Sequence, residues 1–440
     1  MYHDSAACLV RDGLVVAAAE EERFSRLRHC LDFPSRAVEW CLADAGLDAS
    51  ALDAVAFYEK PYLKFERVLR THLAVWPRSW PSFKRFLPMW LAYKLPVART
   101  IRARLGRDVP VLFVDHHVAH AASAFLPSPF ERAMILTLDG TGEWSTLCRG
   151  TGEGEEIKLS EEGRFPHSYG LLYSAVTAHL GFEVNEGEGR VMGLAAHGRP
   201  DLLERLRRVV DVRADGSLRL DLDCFSFHHD LVMTNERFAA LLGPPRAPGA
   251  PVTDAHKALA ASLQALLEDA AQRLVRDLHA RTGLSDLCLA GGVALNCAMN
   301  AGLLEHTPVK RIFVQPAAGD SGAALGAGLY ASGRLAGGSR RWRMDHAYLG
   351  PEYGEERMES VLRAAGARYR RLSTEALVEE VSGRLAAGQV VGWFQGRMEW
   401  GPRALGNRSI LADPRDPRMQ ERVNSKVKRR ELFRPFAPAI

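Results

Sequence analysis

Short apolar runs bounded by polar or glycine-rich stretches recur along this chain and predict β-strands. The clearest runs cover residues 111–114, 133–138, 286–290, 311–314 and 390–394. Each run has the length of a strand rather than of a helix, and its members are mainly aliphatic. These segments therefore predict a largely buried sheet.

Apolar residues return elsewhere with the spacing of an α-helix. Segments with this spacing cover 169–180, 254–282, 321–331 and 374–387. Strands followed by helices are typical of layered α/β or α+β domains. The fold class that the pattern predicts is therefore α/β.

The first part of the chain begins with a predicted hairpin. Asp12-Gly13 stands before an apolar run at 15–19, and this dipeptide favours a tight turn between two strands. A further strand is predicted at 51–58. The strand at 111–114 leads directly into a segment with helical character.

A change of composition divides the chain. Around residues 336–339 it becomes rich in glycine, serine and arginine, which is typical of a connection between patterned segments. We therefore expect two domains, at 1–345 and 346–440. A chain of 440 residues is long enough for both.

Charge and cysteine usage exclude several classes of protein. The net charge of +4 is too small to indicate a nucleic-acid partner. The seven cysteines contain no C-x-x-C pair and are odd in number, so a disulfide framework is not expected. The apolar runs fall short of the ~20 residues that span a bilayer, and no signal peptide is visible. We expect a cytoplasmic protein without a transmembrane segment.

Residues 60–105, here called the basic aromatic segment, differ from the rest of the chain. The segment has eleven basic residues, one acid (Glu66) and three tryptophans. This pattern favours a pair of amphipathic surface helices. A role in binding an acceptor, a partner or a membrane surface stays open.

The stretch VDHHVAHAASAF, at 114–125, suggests a metal site. On a helix, His116 and His120 lie one turn apart on the same face, and such pairs often hold a transition metal. Asp139 ends a predicted strand and Asp320 precedes a predicted helix, so both could add carboxylates. Two histidines with carboxylates suit iron(II) or another divalent metal. The alternative is a set of polar residues at helix starts and turns.

Two glycine turns could approach a nucleotide. One runs from Asp139 through Gly140 and Thr141 to Glu143, and the other contains Gly291-Gly292 between a strand and a helix. Neither is a Walker A motif or a G-x-G-x-x-G fingerprint. Together they resemble the phosphate and adenosine loops of the actin-like ATPases.

An ordered series of motifs identifies a family that the chain resembles. These motifs lie at 2–10, 17–29, 115–125, 138–146, 165–182, 187–198, 289–300, 316–328, 396–415 and 424–440. They include YHDSAACLV, LDGTGEWST and GRMEWGPRALGNRSILADPR. The chain resembles the O-carbamoyltransferases of the nodulation-factor and antibiotic-tailoring type.

The resemblance implies a fold and a reaction. It implies an actin-like first domain of duplicated subdomains, similar to the tRNA threonylcarbamoyl transferase subunit, and a second domain of the YrdC type. In the second domain carbamoyl phosphate and ATP, with Mg²⁺, would give carbamoyladenylate. In the first, the carbamoyl group would pass to a hydroxyl of a small-molecule acceptor. A homodimer is a further expectation.

The resemblance also assigns roles to residues. His3 matches a histidine that activates the acceptor hydroxyl. The implied metal ligands are His116, His120, Asp139 and Asp320. The implied nucleotide contacts are Gly140, Thr141, Glu188, Gly291, Gly292 and Asn296. The implied phosphate-binding residues of the second domain are Arg397, Arg403, Arg408, Lys426 and Lys428.

The chain departs from the family pattern at both ends. Family members carry another strand before Tyr2, and their second domain continues beyond Ile440. We therefore expect a first domain without its first strand and only the N-terminal part of the second. Two alternative functions stay open: transfer of a threonylcarbamoyl group to tRNA, and inactive binding of metal and nucleotide.

Overall fold

The computed structural model describes residues 3–337 and 340–437. The chain forms two compact units, Met1–Asp345 and His346–Ile440. Each unit contains both helices and strands, so the predicted α/β class is confirmed. Among the described residues, no helix has the length and apolar character that crossing a bilayer would require.

The first unit contains most of the sheet structure. Its strands are β1 (Ala6–Arg11), β2 (Leu14–Glu20), β3 (Val55–Phe57), β4 (Val111–Phe113), β5 (Arg132–Leu138), β6 (Ser145–Glu153), β7 (Glu156–Arg164), β8 (Val210–Val212), β9 (Leu218–Leu220), β10 (Asp286–Ala290) and β11 (Arg311–Phe313). Its helices are α1 (Glu22–Ser25), α2 (Ser35–Asp44), α3 (Pro61–Ala74), α4 (Trp80–Met89), α5 (Val97–Leu105), α6 (His116–Phe125), α7 (Tyr169–His179), α8 (Glu188–Ala195), α9 (Leu203–Leu206), α10 (Glu236–Leu242), α11 (Asp254–Thr282), α12 (Cys297–His306) and α13 (Asp320–Ala336).

A five-stranded sheet carries the core of this unit, in the order β11-β10-β5-β6-β7. Strand β10 runs parallel to both β5 and β11, whereas β5, β6 and β7 form an antiparallel meander. Leu136 of β5 pairs with Leu289 of β10, and both side chains are buried. Because β5 and β10 are parallel, their carboxyl ends meet at one edge of the sheet.

Two smaller sheets precede it in the chain. Strands β1 and β2 form an antiparallel hairpin, in which Asp12 and Gly13 both have positive φ, as the predicted tight turn requires. Strands β3 and β4 pair in parallel. The predicted strand at 51–58 was too long at its start, because Asp48 accepts a hydrogen bond from Ser50 N and holds a 3₁₀ turn there.

Helices α6 and α13 pack closely against each other. Val114, Ala119, Ala323 and Ala327 form a small buried cluster between these elements. At Gly326 of α13, an added methyl group would overlap the carbonyl oxygen of Ala119. The small residues therefore let the two helix backbones approach, which brings the start of α13 beside the start of α6.

The basic aromatic segment contains more elements than the predicted helix pair. It forms α3, α4, a π-helical turn at Trp90–Lys94 and α5. Pro96 precedes α5 and, lacking a backbone N–H, separates it from the preceding turn. Buried Trp90, Val97 and Ile101 anchor the segment to the unit.

The second unit is small. It contains α14 (Glu355–Ala364), α15 (Thr374–Ala386), β12 (Val391–Phe394), β13 (Arg408–Leu411) and α16 (Met419–Arg422). Strands β12 and β13 pair antiparallel. Trp400 is fully buried, and neighbouring Glu399 accepts hydrogen bonds from the backbone N–H groups of Leu405, Asn407 and Arg408.

Candidate metal centre and its surroundings

Helix α6 presents two buried imidazoles on one face. The helix begins at His116, directly after Asp115, and His120 follows one turn later. The two Nε2 atoms lie 3.1 Å apart. Two ring nitrogens at this separation cannot both keep protons pointed at each other, so a cation or a shared proton belongs between them.

Two carboxylates complete this group. Asp139 follows the end of β5, and its Oδ2 lies 3.1 Å from Nε2 of His116. Asp320 is the first residue of α13, and its Oδ1 lies 3.4 Å from Nε2 of His120. One ligand atom from each of the four residues lies within 4.8 Å of the others, and all four residues are buried. The structure therefore brings together the four residues predicted to bind metal.

The charges of these buried residues shift one another's pKa values. Burial alone would lower the pKa of His116, but the hydrogen bond to Asp139 and the charge of Asp320 raise that pKa to about 9. Burial alone would raise the pKa of Asp320, but His3 and the hydrogen bond from His120 lower that pKa to about 2. The carboxylates thus stay ionised and favour positive charge beside them.

The donor set fits a divalent cation. Two neutral imidazoles and two carboxylates would neutralise a 2+ charge, and the cation would replace the proton that the site otherwise favours. Nitrogen and oxygen donors of this kind suit iron(II), manganese or zinc. The role of these four residues as metal ligands stays a prediction.

His117, the third histidine of the stretch, points elsewhere. Its Nε2 donates to the Ser145 carbonyl oxygen at 2.9 Å, and its Nδ1 lies 2.7 Å from the Thr137 hydroxyl. Burial, together with the charges of His116 and His120, lowers the pKa of His117 to about 3. It is therefore a neutral, hydrogen-bonded core residue. Unlike His116 and His120, it does not face Asp139 or Asp320.

Glu143 holds the start of α6, a role that the sequence analysis missed. Its two carboxylate oxygens accept from the backbone N–H of His116 at 3.2 Å, and Oε1 also accepts from Lys60 N at 2.7 Å. Glu143 thus binds the N-termini of α6 and α3 together. Only its position in LDGTGEWST, four residues after Asp139, could have suggested such a role.

The second glycine turn contacts the same group. The N–H of Gly292 donates to Oδ1 of Asp139 at 2.9 Å. Gly291 has a φ of 92°, and a methyl group there would overlap the carbonyl oxygen of Leu138. Glycine is therefore required by close packing as well as by the backbone conformation.

The remaining predicted nucleotide contacts have local partners. The carbonyl of Gly140 accepts from the Ser168 hydroxyl at 2.8 Å, and the Thr141 hydroxyl lies 3.4 Å from the Gly142 carbonyl. Asn296 caps α12 and exchanges hydrogen bonds with the side-chain amide of Gln264.

Glu188 lies at the start of α8. It accepts hydrogen bonds from the Ser174 hydroxyl at 2.6 Å and from Asn185 N at 3.1 Å. Nucleotide binding stays a prediction for all six residues that the resemblance names: Gly140, Thr141, Glu188, Gly291, Gly292 and Asn296.

His3 belongs to a second hydrogen-bonded group beside the candidate metal centre. Its Nε2 lies 3.7 Å from Asp320 Oδ2, while its Nδ1 donates to Asp4 at 2.8 Å. Asp4 also accepts from Nδ1 of His29 at 2.7 Å. Asp4 and His29 were missed by the sequence analysis, although YHDSAA places Asp4 directly after His3. Burial would lower the pKa of His3, but Asp320 and Asp4 raise it.

The predicted phosphate-binding residues of the second unit differ in environment. Arg397 and Arg408 donate to backbone carbonyls, among them that of Gly350 and that of Gln395, and Arg408 also lies over the Phe394 ring at 3.6 Å. Arg403, Lys426 and Lys428 are exposed. Phosphate binding by these residues stays a prediction.

Models of a known family match most of the chain. The model described as the carbamoyltransferase N-terminus matches residues 1–329, and the carbamoyltransferase C-terminus matches residues 382–440. The chain belongs to the carbamoyltransferase family. The family resemblance predicted from the motifs is confirmed.

Individual relatives agree with this assignment. The uncharacterized protein sll1178 of Synechocystis is 46% identical over all of this chain and 74% of its own length. The nodulation protein NolNO of Sinorhizobium fredii is 39% identical over all of this chain and 62% of its own length. The 3'-hydroxymethylcephem-O-carbamoyltransferase of Amycolatopsis lactamdurans is 38% identical over 35% of this chain and 28% of its own length. The chain thus spans less than two thirds of these nodulation and cephem relatives.

Solved structures are only distantly similar. Component A of the (R)-2-hydroxyglutaryl-CoA dehydratase of Acidaminococcus fermentans aligns with a TM-score of 0.38 and 15% identity, over 76% of this chain and 95% of its own. HypF of T. kodakarensis aligns with a TM-score of 0.30 and 17% identity, over 56% of this chain and 39% of its own. These TM-scores are too low to establish a shared fold, so the actin-like architecture of the first unit stays a prediction.

Proposed function

We propose that the first unit transfers a carbamoyl group from carbamoyladenylate to a hydroxyl of a small-molecule acceptor. The observation that supports this most directly is the buried group of His116, His120, Asp139 and Asp320, within 4.8 Å of one another, in a chain of the carbamoyltransferase family. The acceptor would be a sugar, a lipo-oligosaccharide or another natural product.

The four residues would hold a divalent metal, iron(II) being the first choice. When bound, such a metal supplies a Lewis acid that polarises an oxygen of the carbamoyl adenylate. The protein's own contribution is to hold four buried donors in place. His116 and His120 are fixed by one helix. The backbone N–H of Gly292 orients Asp139 by donating to Oδ1, the carboxylate oxygen that does not face His116.

His3 would take the proton of the acceptor hydroxyl. Asp4 accepts from Nδ1, which leaves Nε2 facing Asp320 and the interior of the centre. In the transfer, the acceptor oxygen forms a bond to the carbamoyl carbon, and the bond from that carbon to the adenylate oxygen breaks. AMP leaves with the electron pair, and the hydroxyl proton moves to His3.

The second unit would contribute to the site that makes carbamoyladenylate from carbamoyl phosphate and ATP with Mg²⁺. Positive residues near phosphates stabilise the charge that develops during such a step. Arg397, Arg403, Arg408, Lys426 and Lys428 are the residues that we propose for it.

Metal binding can be tested with a matched pair of variants. His120→Ala removes a ligand, whereas His117→Ala removes an equally buried imidazole of the same helix that points away from the centre. After loading with iron(II) and desalting, elemental analysis should find metal in the wild type and in His117→Ala but not in His120→Ala. Equal metal content in all three chains would contradict the proposed site.

Transfer is tested with preformed carbamoyladenylate, so that the second unit is not needed. The wild type with iron(II) and a panel of hydroxyl acceptors should release AMP and add a carbamoyl group to one acceptor, both followed by mass spectrometry. His120→Ala should abolish transfer. Acceptor-dependent transfer that survives this variant would contradict the mechanism, and carbamoylation of no acceptor would favour inactive binding of metal and nucleotide.

A further inference from the structure

The basic aromatic segment exposes large apolar side chains that the fold does not use. Tyr62 and Tyr93 are 70% and 67% exposed, and Trp76 and Trp80 are 52% and 47% exposed. Trp76 and Trp80 are the two exposed tryptophans in the described part of the chain. Soluble surfaces rarely collect such residues without a binding role.

The same segment is firmly attached through its other face. Lys64 and Arg67 of α3 are buried, and Lys64 pairs with buried Glu59 at 2.5 Å. The guanidinium of Arg67 lies over the Phe165 ring at 4.6 Å. The segment therefore has an inner face that packs on the unit and a separate outer face, so the outer side chains are not exposed by loose packing.

Exposed positive charge accompanies the exposed apolar side chains of the basic aromatic segment. The exposed basic residues are Arg70, Arg78, Lys84, Arg85, Arg99 and Arg104. The one acid of the segment, Glu66, pairs with Arg70 at 2.8 Å. Within residues 60–105 the exposed aromatic and cationic side chains are thus accompanied by a single acid.

Four aromatic residues of the segment form a continuous group. Trp76 lies 5.3 Å from Trp80 between ring centroids, Trp80 lies 6.2 Å from Phe83, and Phe83 lies 5.3 Å from Phe86. The Ser82 hydroxyl donates to the carbonyl of His229 at 2.7 Å.

That contact joins α4 to a second loop with exposed apolar side chains. Leu231 and Val232, two and three residues after His229, are 65% and 58% exposed. The outer face therefore extends beyond the basic aromatic segment itself, and this loop adds one exposed acid, Asp230.

We propose that this outer face docks on the surface of an anionic lipid bilayer. Tryptophan and tyrosine favour the boundary between headgroups and acyl chains, and lysine and arginine are attracted to anionic headgroups. In this face the two kinds of residue are interspersed along α4 and the following turn, from Trp80 through Lys84 and Arg85 to Leu91.

This arrangement distinguishes a bilayer from other partners. A protein interface usually has an apolar centre with charged residues at its rim. An interfacial helix instead mixes large apolar and basic residues along one exposed side. The contact would be peripheral, and it does not depend on the proposed carbamoyl transfer.

Vesicle sedimentation with the full chain tests the proposal. We expect co-sedimentation with vesicles of phosphatidylcholine mixed with phosphatidylglycerol, and little with phosphatidylcholine alone. Added salt should weaken the binding. Lys84→Glu combined with Arg85→Glu should lower binding at least about tenfold, because each basic residue near an anionic surface adds about fivefold.

Two further double variants separate charge from apolar contact. Trp76→Ser with Trp80→Ser should weaken binding at any salt concentration, with folding checked by circular dichroism. Arg357→Glu with Arg368→Glu makes the same charge change at exposed positions of the second unit and should bind like the wild type.

Three outcomes would overturn the proposal. The first is the absence of wild-type binding to anionic vesicles. The second is equal binding by the wild type and the Lys84/Arg85 variant. The third is binding of a short RNA, undiminished by loss of Trp76 and Trp80, without any vesicle binding, which would assign the face to a polyanion.

Discussion

The backbone N–H of Gly292 donates to Oδ1 of Asp139 at 2.9 Å, although the two residues are far apart in sequence. They meet because β5 and β10 are parallel neighbours whose carboxyl ends lie at the same sheet edge. The other oxygen of Asp139 faces His116. The glycine turn therefore sets the orientation of a proposed metal ligand, whatever its own part in binding a nucleotide.

The first prediction concerns that turn. Gly291→Ala should destabilise the protein by about 3 kcal/mol or more, because it combines an unfavourable positive φ with overlap of the Leu138 carbonyl. It should also weaken metal binding, since Gly292 would shift away from Asp139. Urea unfolding and metal titration measure the two effects.

Gly283→Ala is the matched control. Gly283 also has a positive φ, at the C-terminal end of α11, but an added methyl group meets nothing within 4 Å. This variant should cost about 1–2 kcal/mol and leave metal affinity unchanged. Equal effects of the two substitutions would show that close packing at Gly291 has no special role.

Glu143 should be needed for both stability and metal affinity. Glu143→Ala would leave the buried N–H of His116 and the half-buried N–H of Lys60 without their carboxylate, at a cost of about 2–3 kcal/mol. Glu143→Gln keeps an acceptor oxygen and should recover a large part of that loss. Thermal unfolding and iron(II) titration of both variants give the comparison; an alanine variant as stable as the wild type would rule out the role.

Asp4 should act through the orientation of His3. Asp4 accepts a hydrogen bond from His3 with one carboxylate oxygen and from His29 with the other. In Asp4→Asn one of these oxygens becomes an NH₂ group, so only one of the two histidines keeps its acceptor. Asparagine tolerates the positive φ of this position. We expect kcat to fall about tenfold to a hundredfold, with KM and bound metal unchanged. A change confined to KM or to metal content would contradict a positioning role for Asp4.

The ionisation of Glu20, which is not one of the proposed metal ligands, should make the stability of the fold depend on pH. Burial raises its pKa to about 7 from an ordinary value of 4.5, although Arg23 opposes the shift. The protonated form is favoured by folding, so its contribution is fully present below pH 4.5 and is lost as the pH rises through about 7. The difference between these limits is about 3 kcal/mol.

The matched variant for this prediction is Glu20→Gln, which cannot ionise. Its free energy of unfolding, relative to the wild type, should rise between about pH 5 and about pH 8. Urea unfolding at both pH values measures this. A constant difference between the two proteins would show that Glu20 does not titrate in this range.

Local structure was largely predictable. The helix predicted at 254–282 is α11, the strand predicted at 286–290 is β10, and Asp12-Gly13 forms the expected hairpin turn. The i, i+4 placement of His116 and His120 also follows from the helix alone. In contrast, the strand at 51–58 and the helix pair of the basic aromatic segment were wrong in extent, because side-chain caps and prolines redirect the chain there.

The sequence by itself determined most of the elements, the histidine pair and the family, because these depend on neighbours along the chain or on motifs that it carries. The resemblance named Asp139 and Asp320 as ligands, and the tertiary structure places both beside those histidines. Tertiary structure alone decided that Asp4 joins His3 to His29 and that Glu143 holds the start of α6. Such meetings depend on the order of strands in the sheet and on the close approach of α6 and α13. Neither is encoded in any single stretch of residues, since both arise when distant segments pack together.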